Sequence, residues 1–284
     1  MEKELNVSLR NIRYKNTEAF MKITYIHHSS FAVELPHAVF LFDYFKGTIP
    51  DFPKEKPLYV FASHKHQDHF DLKIFSLAEK YPRIHYILSR DIHLSPAYLE
   101  RHGIPKERLS LVTFIGKEQT RKFRNAEPVS PDEADQKPLM QIESESPVLT
   151  VETLTSTDAG VAFLVTCEGV RLYHAGDLNW WTWIGETSEE YEDMKNRFFR
   201  EMEKLRGRTF DVAFVPLDPR QEERYYWGFD AFMRTVDVKA VFPMHFWGDP
   251  SVIDKLLADP LSEPYRDRIQ RVGREGEEFL FADK

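Results

Sequence analysis

The chain has 284 residues, 42% hydrophobic and 30% charged, enough for a sizeable globular core and unlike a fibrous or low-complexity protein. A formal net charge of −8 without a basic cluster argues against a surface that coats nucleic acid, while leaving room for a small phosphorylated substrate. Cys167 is the only cysteine, which precludes an intrachain disulfide and fits a reducing compartment.

Read in chain order, residues 1–20 are polar and weakly patterned, and are expected to form an arm before a single domain over 21–284. The start Met1-Glu2-Lys3-Glu4 has no signal-peptide pattern, and no stretch reaches the ~18 apolar residues of a membrane span, so a cytoplasmic protein without a membrane span is expected. Short β segments follow at Ile23–Ile26, Phe31–Leu35, Val39–Phe42, Leu58–Ala62, Ile84–Leu88 and Leu109–Ile115, separated by Pro- and Gly-containing turns. A helix is predicted over Phe70–Lys80, ending before Pro82. The polar stretch 116–147 is read as a surface insertion, or alternatively a short hairpin.

Strands resume at Val148–Leu154, Val161–Thr166 and Val170–His174. Thr187–Arg206 is the clearest helix: Thr187 and Glu190 match a capping box, and Tyr191, Met194, Phe198, Met202 and Leu205 form one apolar stripe. Strands at Val212–Val215 and Val238–Phe242, helices at Phe229–Val236 and Ser251–Ala258, and a strand at Glu277–Phe281 complete the chain. Strand dominance with interspersed helices predicts an α/β (α+β) fold of two helix-covered sheets, not a doubly wound parallel sheet.

The chemistry concentrates in Ser63-His64-Lys65-His66-Gln67-Asp68-His69, directly after the apolar run Leu58–Ala62. Three imidazoles and a carboxylate on one loop at a strand end can aim their donors at one point, and that donor set suits zinc and similar divalent ions. The cluster cannot close two metal shells alone. Other strand ends offer Asp177 after His174-Ala175-Gly176, His245 after Val241–Met244, and the polar knot Thr155-Ser156-Thr157-Asp158.

This order of motifs (His-x-His-x-Asp-His, a strand ending Gly-Asp, a late His after a strand) resembles the metallo-β-lactamase superfamily over residues 21 to about 282. Tyr25-Ile26-His27-His28-Ser29-Ser30-Phe31 and Tyr173-His174-Ala175-Gly176-Asp177 look most like the branch containing L-ascorbate-6-phosphate lactonase and N-acyl-phosphatidylethanolamine phospholipase D. The resemblance implies a four-layer αββα sandwich with two metal ions at one edge, zinc first, with manganese or iron as alternatives. It implies that His64 and His66 bind the first metal, that Asp68, His69 and His245 bind the second, and that Asp177 bridges. The third His that the family usually supplies to the first metal is missing from Ser156–Gly160. Asp158 is the candidate replacement, and a carboxylate there makes the site harder and less zinc-selective.

Two such ions can hold a hydroxide and stabilise charge on the attacked group. The expected activity is metal-assisted hydrolysis of an ester, lactone or phosphodiester in a small molecule, with Asp68 as a catalytic orienting residue. His28 is weighed as a substrate-contacting or outer-shell residue against a packed histidine. Asp43 is weighed as the carboxylate holding a ligand imidazole, and His174 as an outer-shell contact. His27 and Cys167 are read as structural. The segment Asn179-Trp180-Trp181-Thr182-Trp183, with Trp227, Phe246 and Trp247, is a candidate wall of the substrate pocket, Trp180 and Trp247 foremost, and Asp218 and Arg220 are further candidates, with ordinary packing or a salt bridge as the alternative.

Two rivals stay open. One is a phosphodiesterase or nuclease, though the net charge of −8 speaks against an RNA-gripping arm. The other is a metal-binding scaffold without turnover, for which the missing His is the best argument. The Gly that follows the motif in glyoxalase-type thioesterases and the Glu that replaces its second His in flavo-diiron proteins are both absent.

Overall fold

The computed structural model describes residues 20–129 and 147–282. The arm expected over 1–20, apart from Phe20, and the part of the expected insertion over 130–146 lie outside the described residues. The first part of the chain supplies β1 (Met21–His27), β2 (Ser30–Glu34), β3 (Val39–Phe42), β4 (Leu58–Ala62), α1 (Leu77–Lys80), β5 (Ile84–Ser89), α2 (Pro96–Arg101) and β6 (Val112–Ile115). It continues with β7 (Thr120–Arg124), β8 (Glu127–Pro128), β9 (Leu149–Thr155), β10 (Val161–Cys167) and β11 (Val170–His174). The rest comprises α3 (Ser188–Leu205), β12 (Thr209–Pro216), α4 (Trp227–Thr235), β13 (Asp237–Met244), α5 (Ser251–Ala258) and β14 (Glu278–Phe281).

Two seven-stranded mixed sheets result, in the orders β14-β1-β2-β3-β4-β5-β6 and β13-β12-β11-β10-β9-β7-β8. Period-two alternation assigns the faces of the first sheet. Phe40, Phe42, Tyr59 and Phe61 join the core between the sheets. Val39, Leu41, Leu58 and Val60 turn outward to a second core with Leu99 of α2 and with Ile74 and Phe75 just before α1. Across the inner layer, Phe31 meets Phe214 and Phe61 meets Phe163, with ring centroids 4.5 and 5.1 Å apart. On the outer face of the second sheet, Phe232 of α4 stacks on Tyr173 at 5.0 Å. The helix α3 presents Phe198, Met202 and Leu205 to the same core, and its capping box is formed in full. This is the αββα sandwich. Pro243 is accommodated in β13 because that strand lies at a sheet edge, where a missing amide donor is tolerated.

Two expectations change, and the hairpin given as the alternative for 116–147 is found at its start. The continuous helix over Phe70–Lys80 is a 3-10 turn (Leu72–Ser76) running into the one-turn α1, started by the Asp71 carboxylate accepting from Lys73 N. The strand expected over Leu109–Ile115 begins only at Val112, because a 3-10 segment follows Pro105. Residues 120–128 form the β7–β8 hairpin at the far edge of the second sheet. Phe123 is its anchor, against Tyr59.

Strand direction determines where the loops lie. The strands β3, β4 and β5 are mutually parallel, as are β11, β12 and β13. Two antiparallel steps make β1 parallel to β3 and β9 parallel to β11. The loops that leave β1, β3, β4, β9, β11, β12 and β13 therefore leave from the carboxyl ends of co-directed strands in each sheet. They carry, in that order, His28, Asp43, His64 to His69, Asp158, Asp177, Asp218 and His245.

Candidate metal centre

Close backbone contacts bind these loops together. Ser63 O accepts from Val161 N at 3.0 Å, which lays the β9–β10 turn on the His loop. A Cβ on Gly160 would stand 1.9 Å from Ser63 O, and one on Gly176 would stand 2.7 Å from Ser63 Cβ, so both turns need glycine. From the other sheet edge, His245 N donates to His28 O at 3.4 Å. His28, Asp43, His245 and Trp247 all have left-handed backbone, with φ of 54, 44, 65 and 53°. Such strain in non-glycine residues gathers where a fold holds side chains for function.

Buried carboxylates fix the imidazoles. Asp43 accepts from His69 Nδ1 at 2.7 Å and from the amide and hydroxyl of Ser63 at 2.7 and 2.6 Å. The Ser63 hydroxyl lies 3.0 Å from His64 Nδ1, so Asp43 orients two imidazoles, one directly and one through Ser63. Asp218 holds His245 Nδ1 at 2.9 Å. With Nδ1 engaged, each ring presents Nε2 inward, the arrangement in which an outer carboxylate sets a ligand imidazole.

The inward atoms meet at Asp177. Its Oδ2 is 3.3 Å from His64 Nε2; its Oδ1 is 3.1 Å from His69 Nε2 and 3.4 Å from His245 Nε2. One oxygen faces each half of the site. Asp68 Oδ2 lies 4.0 Å from His69 Nε2 and 3.9 Å from His245 Nε2. On the open side, His66 Nδ1 is 3.6 Å from Asp158 Oδ2, with His66 half-buried and Asp158 exposed. Four overlapping groups of donors result: His28-Asp68-His69-His245, His64-His69-Asp177, His64-His66-Asp68 and His66-Asp158-Asp177, each with ligand atoms within 4.8 Å of one another.

Burial works against the charge of Asp177, but the facing His69, His245 and His64 overcome it and hold the carboxyl well below its usual range. Asp68 is likewise held low against burial by His28 and His69. Burial opposes ionisation of Asp218 too, yet His245 and Arg220 bring it down to about 2.

The donors fit divalent ions. His64 Nε2, His69 Nε2, His245 Nε2 and Asp177 Oδ1 are buried without hydrogen-bond partners although they lie side by side. Each unsatisfied buried polar group costs about 1–3 kcal/mol, so a packed histidine cluster would be built with partners in place. Neutral imidazole and carboxylate together match zinc, manganese or iron.

A family model described as "Beta-lactamase superfamily domain" matches residues 22–182, from β1 through the His loop and Asp177. The chain belongs to the metallo-β-lactamase superfamily. Among solved structures, this superfamily member is similar to Igni18, a metallo hydrolase from the archaeon Ignicoccus hospitalis, at 17% identity and a TM-score of 0.54, covering 93% of this chain and 99% of that one. It is also similar to CmlA, a diiron β-hydroxylase from Streptomyces venezuelae, at 12% identity and a TM-score of 0.54, covering 94% of this chain and 55% of that one. At these identities the likeness shows the shared fold. No curated protein matches the chain in sequence.

A cleft of about 320 Å³ opens over the candidate centre, and Asp68, Asp158, Asp177 and His245 are among the residues that line it. Its walls correct part of the expected pocket. Trp180 turns away to pack on Phe198, Phe199 and Trp227, while its neighbours Trp181 and Trp183 line the cleft. The segment after Asp177 is irregular, so no strand or helix period was available to tell adjacent tryptophans apart. Asp218 is fully buried behind His245 rather than in the wall. Arg220 and Trp247 do line the cleft; the guanidinium sits 4.4 Å from the Trp247 ring and 5.9 Å from Trp183 while paired with Asp218. Met194 of α3 was missed as a wall residue because its position on an apolar stripe signals only core packing.

Three other residues take outer positions. His174 Nε2 donates to Ser29 O at 2.9 Å, and its Nδ1 accepts from Gly176 N at 3.2 Å, behind the bridging loop. His27 faces Glu275 and Phe45 away from the centre. Cys167 is buried, and burial pushes its thiol up to about 12, which makes it inert.

Proposed function

We propose that the chain is a metal-dependent hydrolase of a small-molecule ester, lactone or phosphodiester, in the branch that includes L-ascorbate-6-phosphate lactonase and N-acyl-phosphatidylethanolamine phospholipase D. The observation that carries this reading is the set of buried, unpartnered donor atoms around Asp177. In this reading His64, His66 and Asp158 would hold the first ion, Asp68, His69 and His245 would hold the second, and Asp177 would serve both. When bound, the ions supply a nucleophilic hydroxide at neutral pH and stabilise charge on the attacked group.

The remaining work falls to the protein's own residues. Asp68, partly exposed where it lines the cleft, orients the attacking water and passes its proton to the leaving group. Trp181, Trp183 and Trp247 exclude water and offer an apolar wall. Arg220, anchored to Asp218 through Nε and Nη2, keeps Nη1 for a phosphate or carboxylate of the substrate. Because Asp218 also holds His245, substrate contact at Arg220 and the position of one ligand share a single carboxylate.

The test pairs metal content with turnover. The purified protein is expected to carry close to two ions per chain and to hydrolyse activated ester, lactone or bis-aryl phosphodiester substrates. Asp68→Ala is expected to abolish hydrolysis in a protein that stays folded by circular dichroism. Full turnover in that variant sinks the assigned role; no hydrolysis and at most one ion in the wild type favours a binding scaffold.

A further inference from the structure

His28 stands outside the ligand set proposed above, yet the fold treats it as part of the centre. Its left-handed backbone is clamped on both sides: its N–H donates to the Tyr25 hydroxyl at 2.9 Å and its carbonyl accepts from His245 N at 3.4 Å. The ring packs at tilted angles against His245 and Trp247, with centroids 4.2 and 4.6 Å away. The side chain is 2% exposed, and Nε2 has no hydrogen-bond partner. A packed histidine so placed would leave a buried polar atom unsatisfied, at about 1–3 kcal/mol. Its nearest charged neighbour is Asp68 Oδ2 at 3.5 Å, without hydrogen-bond geometry. His28, Asp68, His69 and His245 each offer an atom within 4.8 Å of all the others, the largest of the four donor groups.

We infer that His28 Nε2 is a further ligand of the second metal. The inference rests on the dinuclear reading above and assigns a donor that the resemblance does not supply. With Asp68, His69, His245 and the bridging Asp177, the second ion has five protein donors. Catalytic zinc typically takes three protein ligands plus water in a tetrahedron. A set of three imidazoles and two carboxylates instead suits an octahedral ion such as manganese or iron, with one position left for water or substrate. The two sites then differ in kind. The second is buried and rich in donors, while the first rests on the half-buried His66 and the exposed Asp158 and is the weaker and more exchangeable.

Cobalt(II) binding tests this without reference to turnover. Metal-free protein is reloaded with Co²⁺ and followed by metal count, chelator competition and visible absorption. The wild type is expected to bind two ions. His28→Phe, which keeps a ring for the packing, is expected to hold the first ion normally and the second about 100-fold more weakly, or worse. Its ligand-field bands should intensify as the coordination number falls. His28→Gly, which suits the left-handed backbone, should show the same loss, and added imidazole should restore both affinity and spectrum; this variant decides the matter if His28→Phe does not fold. Unchanged affinity and spectrum in either folded variant overturns the inference and leaves the dinuclear reading standing. A wild type that binds fewer than two ions overturns the dinuclear reading, and this inference with it.

Discussion

Asp43 has no exposed surface, and burial opposes its charge, yet His174 and His69 keep its carboxyl below the usual range. It accepts from His69 Nδ1 directly, and through Ser63 it reaches His64. One side chain thus sets the ring orientation of a ligand to each proposed ion. Asp43→Asn keeps the shape but replaces one acceptor oxygen with a donor, which must then face either the Ser63 N–H or the imidazole and hydroxyl that share Oδ2. Affinity for both ions is expected to fall about 10–100-fold. Chelator competition measures it, and loss at only one ion would contradict the shared role. In the sequence, Asp43 ends the Val39–Phe42 strand, a place from which a carboxylate can hold a ligand imidazole. Which imidazole it serves depends on register, which no single segment of sequence contains.

The elements show why so much of the site could be read in advance. The candidate donors His64, Asp177 and His245 sit one to three residues beyond a strand, so the strands that mark the core also mark these positions: β4 before His64, β11 before Asp177, β13 before His245. Failures arose where that coupling was absent. In β7, four of the five residues are Thr, Arg or Lys and only Phe123 is buried, so the segment reads as surface. The tryptophans after Asp177 lie on irregular chain, where no period separates Trp180, which packs inward, from Trp181 and Trp183, which line the cleft. Glycines at loop crossings offer a test at this scale. Gly160 and Gly169 both have left-handed backbone, but an added Cβ at Gly160 strikes Ser63 O, while at Gly169 nothing lies within 4 Å. Gly169→Ala is expected to lose about 1 kcal/mol, the cost of the backbone conformation alone. Gly160→Ala must also displace the β9–β10 turn from the His loop, and is expected to lose at least about 2 kcal/mol more and to weaken the first ion. Denaturant unfolding compares the two; equal losses would mean that the crossing can relax.

At the scale of the whole molecule, the two faces of the first sheet impose different demands. On the stretch away from the metal centre, His85 is buried beside Phe123, with Nε2 2.8 Å from Thr113 Oγ1. Burial pushes its imidazole from 6.5 down to about 4, opposed only by a hydrogen bond with the Ala126 backbone. The unfolded chain therefore binds more protons than the folded one below pH 6.5, and stability falls as pH drops from 6.5 towards 4. For this one group the loss amounts to about 2 kcal/mol between pH 7 and pH 5. His85→Gln should lack that part of the slope when both proteins are measured in the same metal state, and parallel profiles would refute it. Bound ions act on the folded chain as a whole, since they bind a site that exists only when both sheets are assembled. Their removal should lower the melting temperature.

The central claim is that two ions occupy the edge where these strands end. Anomalous diffraction at the zinc, manganese and iron edges, from crystals of the metal-loaded protein, tests it most directly. The account predicts two peaks flanking Asp177, one bounded by His64, His66 and Asp158 and the other by Asp68, His69 and His245. A loaded crystal with no peak there, its imidazoles hydrogen-bonded to one another or to water, would contradict it.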